Sequence, residues 1–143
     1  MSDPSNVREL LTAEHAKLDR LFAQMLEAFR ADARDDAEKL WSEFDALFTA
    51  HLAREEEFLL PPLAAAHPDD AALLKSEHDQ LRQKLLTLGV GVDLHLTKAD
   101  TVADFVAALR AHAEREDALL YPWAEERVKG EPDLGLKLIH FRR

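Results

Sequence analysis

The sequence predicts an all-α protein, an up-down-up-down antiparallel four-helix bundle with a short C-terminal helical tail. Of the 143 residues, 47% are hydrophobic and only 4 are glycine. Alanine, leucine, glutamate and arginine are abundant, and this composition favours helices. Four long segments carry apolar residues at steps of three and four, which is the helical period. A unit of two such segments occurs twice, so four paired helices are the simplest architecture.

The first predicted helix runs from about Pro4 to Ala31, with Asp3 at a capping position before the proline of its first turn. The second runs from about Asp36 to Leu60, and Pro61-Pro62 ends or sharply bends it. The apolar stripes of these two helices contain Leu11, His15, Leu18, Phe22, Met25 and Phe29, then Leu40, Phe44, Leu47, His51, Glu55 and Phe58.

The third predicted helix begins near Asp69-Asp70 and ends at Gly89 and Gly91. The fourth begins after Thr97 and is broken by Pro122. Residues 125–143 are expected to add one or two short helices, interrupted near Gly130 and Gly135. The stripes of the third and fourth helices contain Leu74, His78, Leu81, Leu85 and Leu88, then Val102, Phe105, Leu109, His112, Glu116 and Leu119.

The chain length fits a single domain over residues 1–143, with the bundle at about 4–123 and a C-terminal extension at about 124–143. The net charge of −10 argues against binding to nucleic acid or to an anionic membrane surface. No stretch approaches the roughly 18 apolar residues of a membrane span, and the amino terminus has no signal-peptide pattern. Cysteine is absent. We therefore expect a cytoplasmic protein whose redox chemistry, if any, comes from a bound cofactor.

A short phrase containing metal-binding residue types occurs twice. The segment from His51 to Pro61, HLAREEEFLLP, returns from His112 to Pro122 as HAEREDALLYP. Upstream of these copies, the fragments EHAKL and EHDQL begin one residue before His15 and His78. His78 follows His15 by 63 residues, and His112 follows His51 by 61 residues, so a two-helix unit is used twice.

The four repeated histidines are predicted to lie at one height in the bundle. Residues equidistant from the loop of an antiparallel pair lie side by side, and the midpoint of His15 and His51 falls at residue 33, inside the first connection. The midpoint of His78 and His112 falls at residue 95, inside the last connection. The expected middle loop, from Pro61 to Pro68, gives the same level within about one turn, ~5 Å. Buried imidazoles and carboxylates cost several kcal/mol unless something compensates them.

A histidine and a glutamate four residues apart project from one side of a helix. His51 with Glu55 and His112 with Glu116 form two such pairs, and two facing glutamates can bridge the same pair of ions. Mixed imidazole and carboxylate ligation suits iron, with manganese or zinc as alternatives. Magnesium and calcium want more oxygen ligands than this set supplies.

Together these residues resemble the hemerythrin-like family, also described as cation-binding domains with an HHE signature. The resemblance covers the four helices, about Pro4 to Trp123. It implies a non-haem di-iron centre with an oxo or hydroxo bridge. The implied bridging carboxylates are Glu55 and Glu116, and the implied terminal ligands are His15, His51, His78 and His112.

The chain departs from the oxygen-carrying members of that family. They have a second histidine one turn after the third-helix ligand, where this chain has Arg82. They also place an aspartate five residues after the last histidine; Asp117 stands there, but Glu116 fits the repeat better. For two roughly octahedral irons, the carrier pattern leaves about one position open and this pattern about two. The resemblance is therefore closer to bacterial members implicated in handling nitric oxide, peroxide or oxygen, or in iron supply and iron–sulfur cluster repair.

The leading hypothesis is a di-iron protein that binds or senses O2, NO or peroxide. The open positions permit peroxidase-, catalase- or oxidase-like turnover, but the sequence identifies no substrate channel, so enzyme and binding roles both stay open. Iron storage or delivery is an alternative, although ferritin-like sites are richer in carboxylates. Cluster repair is another, although the cysteine-bearing segment typical of repair proteins is missing. A metal-free helical interaction module is a third, and both a monomer and a homodimer fit.

The neighbours of the six ligand candidates are expected to have ordinary roles. Orientation of an imidazole is the alternative for the two glutamates that precede histidines. The residues expected to be solvated or at the surface are Glu14, Glu56, Glu57, Glu77, Arg82 and Asp117; His67, His95 and His140 lack partners at ligand spacing. The residues expected to pack are Trp41, Tyr121 and Trp123, with Leu11, Leu18, Leu47, Phe48, Leu81, Phe105 and Leu109 forming the core and a dry pocket around the site.

Overall fold

The computed structural model describes residues 7–93 and 99–131, and nearly all of them are helical. The predicted all-α class is confirmed, and the described ranges contain no strand. The predicted cap at Asp3, and His95, Thr97, Gly135 and His140, lie outside the described residues. The described ranges contain six helices, α1 Val7–Arg30, α2 Arg34–Phe58, α3 Leu60–Ala66, α4 Pro68–Asp93, α5 Ala99–Leu119 and α6 Tyr121–Gly130.

The four long helices pack in a closed cycle, α1 on α2, α2 on α4, α4 on α5 and α5 on α1. A three-residue connection, 31–33, joins α1 to α2, and such a short link favours antiparallel neighbours. The ion pairs Arg8–Asp117 and Asp19–Arg110 join α1 to α5. Because residue numbers rise along one helix as they fall along the other, α1 and α5 run antiparallel, as the predicted bundle requires.

Two helices have proline in their first turn where the sequence predicted a loop or a helix end. The stretch from Pro61 to Pro68 was expected to be a loop, but residues 60–66 form α3. Likewise, α6 begins at Tyr121, not near residue 125. Proline fits the first turn of a helix because its missing N–H has no intrahelical partner there. The breaks after α2 and α5 are therefore followed at once by new helices.

The expectation that Gly89 ends the third long helix was wrong, because α4 continues to Asp93. A β-carbon built on Gly89 would lie 2.9 Å from Cζ2 of Trp41. Glycine at this position therefore permits a close approach of the indole ring to the backbone of α4.

Two apolar clusters lie at different levels, with the repeated histidines between them. His15 lies between Leu11 of one cluster and Leu18 of the other, and His78 has the same relation to Leu74 and Leu81. Of the predicted core residues, Leu47 is only partly buried, and the other six are buried. The first cluster includes Leu18, Phe22, Phe44, Phe48, Leu52, Leu81, Phe105 and Leu109. The second includes Leu11, Leu59, Leu60, Leu63, Leu74, Leu120, Tyr121, Ala124 and Val128, and half of its buried residues lie in α3 and α6.

Within the described ranges, no helix combines the length and the apolar character that crossing a bilayer requires.

Candidate metal centre

The structure brings all six predicted ligand residues together between the two apolar clusters. They form two overlapping groups, within each of which one ligand atom per residue lies no more than 4.8 Å from the others. Five of the six are at most 3% exposed, whereas the side chain of His15 is 15% exposed. We call His15, His51, Glu55 and Glu116 site A. Glu55, His78, His112 and Glu116 form site B.

Both glutamates span the two sites. Glu55 places Oε2 3.1 Å from Nε2 of His51 in site A and Oε1 3.3 Å from Nε2 of His78 in site B. Glu116 places Oε1 3.1 Å from Nε2 of His15, and Oε2 3.1 Å from Nε2 of both His78 and His112. Each carboxylate therefore offers one oxygen to each site, which is the arrangement of a bridging ligand.

Tyr121 extends its hydroxyl into site A, although the sequence suggested only a packing role. Its Oη lies 2.7 Å from Nε2 of His15 and 3.3 Å from Nε2 of His51. The hydroxyl can donate to Oε2 of Glu55 at 2.9 Å or to Oε1 of Glu116 at 3.2 Å. Side chains on a helix lean toward its N-terminus, so a tyrosine at the start of α6 reaches back to the last turns of α5.

Glutamate–arginine pairs hold the outer nitrogens of two repeat-related histidines. Nδ1 of His51 donates to Oε1 of Glu14 at 2.9 Å, and Arg54 donates to the same carboxylate. In the second unit, Nδ1 of His112 donates to Oε1 of Glu77 at 2.8 Å, and Nε of Arg115 donates to Oε2 at 2.7 Å. These contacts fix the direction in which Nε2 points. The expectation that Glu14 and Glu77 are exposed helix charges was wrong.

A third pair of this kind holds His78. Its Nδ1 donates to Oε2 of Glu56 at 2.8 Å, and Arg82 donates to both oxygens of Glu56 at 2.6 and 2.9 Å. Glu56 and Arg82 therefore orient a ligand candidate and are not simply solvated.

The repeat does not reproduce this third pair on the other side. The counterparts of Glu56 and Arg82 are Asp117 and Asp19. Asp117 pairs instead with Arg8 at 3.6 Å, and Asp19 pairs with Arg110 at 2.7 Å. Among the described residues, no carboxylate is hydrogen-bonded to Nδ1 of His15. The two sites therefore differ in how firmly their imidazoles are held.

The buried charges shift one another's pKa values. Burial alone would lower the pKa of His51, but Glu55 and Glu14 outweigh it and raise that pKa to about 10. In the same way burial opposes, and Glu116, Glu55 and Glu56 raise, the pKa of His78 to about 11. Burial would raise the pKa of Glu116, but the imidazoles, His112 foremost, hold it well below its usual range. Without a metal, protons on the imidazoles balance the carboxylates.

The donor set fits a pair of metal ions. Oε1 of Glu55 lies 3.3 Å from Nε2 of His78, and Nε2 of His112 lies 3.1 Å from Oε2 of Glu116, but among the described residues neither buried atom makes a well-formed hydrogen bond. A buried polar atom without a hydrogen bond costs about 1–3 kcal/mol. A cation in site B would contact both atoms, and cations would replace the protons that the imidazoles otherwise need.

Orientation of an imidazole was only the alternative role that the sequence suggested for Glu14 and Glu77, although the repeat contains a partial signal for these contacts. Glutamate immediately precedes the first histidine of each unit, and arginine follows the second by three residues, as Arg54 and Arg115 show. This shared spacing could have identified the Glu14 and Glu77 pairs. The repeat favoured a packing role for Tyr121, because its counterpart in the first copy is Leu60.

An all-helical fold around two His/Glu groups that share both carboxylates defines a helical cation-binding protein. The model of one family, described as the Hemerythrin HHE cation binding domain, matches residues 6–124. The chain belongs to this family, as its sequence resemblance indicated, and it is thus a metal-binding protein of a kind that typically binds iron. Comparisons with curated proteins and with solved structures give no significant match.

Proposed function

We propose that the chain holds two iron ions and binds or senses a small ligand, O2, NO or peroxide. His15 and His51 would be the terminal ligands in site A, and His78 and His112 those in site B. The observation that carries this proposal is the division of the carboxylate oxygens of Glu55 and Glu116, one to each site.

The donor chemistry favours iron. Each site combines two imidazole nitrogens with two carboxylate oxygens, a mixture that suits iron and that manganese or zinc also accept. Thiolates are absent, because the chain has no cysteine. A bound iron pair would supply redox-active metal with coordination positions that the protein leaves free, since four donors per site are fewer than octahedral coordination uses.

The residues around the sites suit the binding of a small ligand more than the release of iron. Three of the four imidazoles are held by carboxylates on Nδ1. Such contacts typically raise metal affinity 10–100-fold. A storage or delivery protein must release its metal, so we rank that function lower. Turnover of peroxide or oxygen remains compatible with the site, but no described contact assigns it.

Several sequence-based expectations stay predictions: a single domain, a cytoplasmic location, a monomer or homodimer, and no nucleic-acid or membrane partner.

Iron content tests the proposal. We expect about two irons per chain in protein made in iron-replete cells, and a loss of at least half of them in His112→Ala, because site B then has one imidazole. The matched control is His67→Ala, since His67 is exposed between α3 and α4. A reduced, iron-loaded protein whose spectrum does not change with NO, O2 or peroxide would contradict the ligand-binding part.

A further inference from the structure

A pocket of about 400 Å³ lies between α1 and α5, and His15 of site A forms part of its wall. Ala16 and Ala113 line it, and their small side chains leave the space open. Leu18 and Leu109 add apolar wall. The pocket therefore joins the surface of the bundle to one ligand of site A.

The repeat shows that this opening is one-sided. The offsets of 63 and 61 residues relate the α1–α5 contact to the contact of α4 with α2. At the position of Ala113 the other side has Leu52, which is 1% exposed and belongs to the first apolar cluster. At the position of Asp19 it has Arg82, which reaches Glu56 beside His78. Larger side chains thus occupy the space next to site B.

His15 is also more exposed than the other three histidines of the two sites. Its side chain is 15% exposed, against 3% or less for the others. Among the described residues, no carboxylate holds its Nδ1. It forms part of the pocket wall, so whatever enters the pocket meets site A before site B.

The lining of the pocket includes three charged residues, the cation Arg110 and the carboxylates Asp19 and Glu114. Arg110 donates to Asp19 from Nε at 2.7 Å and from Nη2 at 3.3 Å, joining α5 to α1. The apolar wall disfavours charged molecules, since a charge would lose hydration against it, and the net negative charge of the lining disfavours anions further.

We propose that the α1–α5 pocket is the access route for a small uncharged ligand, which reaches the centre at site A on the side of His15. This inference rests on the proposed function and adds the route and the site to it. The ligand class is a neutral diatomic molecule or hydrogen peroxide.

The test introduces into the α1–α5 contact the larger side chain that the repeat has in the contact of α2 with α4. Ala113→Leu introduces the residue that the other copy has at this position. In reduced, iron-loaded protein, stopped-flow mixing with NO should then show association about tenfold slower, because only slower routes remain. Ala16→Leu should act in the same direction, and it tests the route even if Ala113→Leu does not fold.

The matched control is Ala53→Leu, the same change at a half-buried position of α2 that does not line the pocket. It should alter the NO association rate by less than about twofold. Unchanged association in both pocket variants, or equal slowing in Ala53→Leu, would overturn the proposal. Iron content is measured for each variant, so slower association is not mistaken for lost metal.

A second readout separates failure of this inference from failure of the proposed function. Crystals of the protein as purified, pressurised with xenon, should show xenon next to Ala113, and Ala113→Leu should abolish that peak, because xenon fills apolar cavities whether or not iron is bound. Absence of xenon from the wild-type pocket would overturn the route. Absence of iron with xenon present would overturn the proposed function alone.

Discussion

Glu55 and Glu116 are fully buried carboxylates, and each needs donors or positive charge around both of its oxygens. Four imidazoles and the hydroxyl of Tyr121 surround them. In the metal-free protein, shared protons satisfy part of this demand, as the raised pKa values of His51 and His78 show. Bound cations would satisfy all of it, including the demand of Oε1 of Glu55 and Nε2 of His112, which otherwise make no hydrogen bond among the described residues. The same side chains therefore serve folding without metal and ligation with it.

Removing the hydroxyl of Tyr121 tests its contact with these carboxylates. Tyr121→Phe keeps the ring in the second apolar cluster but leaves Glu55 and Glu116 without a neutral donor. A hydrogen bond to a charged group contributes about 1.5–3 kcal/mol, so the free energy of unfolding of the metal-free protein should fall by about that amount. Urea unfolding measures it. Thr49→Val, which removes a hydroxyl whose long hydrogen bond to Asp45 is open to solvent, should change little, and an equal loss in both variants would contradict the contact.

Weakening one of the outer pairs tests the orientation of an imidazole. Glu77→Gln replaces the acceptor of Nδ1 of His112 by a neutral amide, so we expect iron affinity to fall about 10–100-fold. Competition with a chelator measures this affinity. Glu57→Gln changes an exposed charge close to Glu55 in sequence and should leave the affinity unchanged. Equal affinity in Glu77→Gln and the wild type would show that the pair does not act on the metal.

Among the elements, α3 and α6 decide how the centre is closed. Each has proline in its first turn, and together they supply half of the buried residues of the second apolar cluster. α6 also supplies Tyr121, so the break after α5 has a consequence in the site itself. Helix α4 is also notable for the close packing of the indole ring of Trp41 against its backbone at Gly89.

The helix α4 gives a prediction of stability. In a helix interior, Ala is usually more stable than Gly by about 1 kcal/mol. At Gly89 the added β-carbon would lie 2.9 Å from the ring of Trp41, so Gly89→Ala should destabilise the protein in thermal unfolding. At Gly130 nothing lies within 4 Å of an added β-carbon, so Gly130→Ala should be neutral or stabilising. A higher melting temperature for Gly89→Ala would contradict the contact with Trp41.

The sequence predicted the long helices and the six ligand candidates because both follow from spacing along one helix. His51 and Glu55 need only the helical period to lie on one side, and the repeat places the other unit in register. The α3 helix was missed because Pro61-Pro62 both ends one helix and suits the start of the next. Glu56 and Tyr121 were missed because their contacts depend on the packing and direction of neighbouring helices, which no local pattern specifies.

For the whole molecule, the buried charges couple stability to pH. His51 and His78 have pKa values raised to about 10 and about 11 in the folded metal-free state, above their usual 6.5. Their contribution to stability is therefore present in full below about pH 6.5 and is lost as pH rises through the folded values. The pKa of Glu56 is lowered to about 2 from 4.5, so its contribution is present above 4.5 and is lost as pH falls toward 2.

The metal-free protein should consequently be most stable between about pH 4.5 and 6.5 and less stable at about pH 9. Urea unfolding of chelator-treated protein across this range measures the change. Iron loading should release protons and reduce the loss of stability at high pH, because bound metal then balances the carboxylates. A metal-free protein that becomes more stable from about pH 6.5 to 9 would contradict these assignments.

The central claim is that two irons share Glu55 and Glu116, and low-temperature EPR of the oxidised, iron-loaded protein tests it most directly. Two ferric ions coupled through bridging groups have no net spin in their ground state, so we predict about two irons per chain without a ferric signal. One-electron reduction should then produce the signal of a coupled mixed-valence pair. A strong signal from isolated ferric ions, equal in amount to the iron bound, would contradict the account.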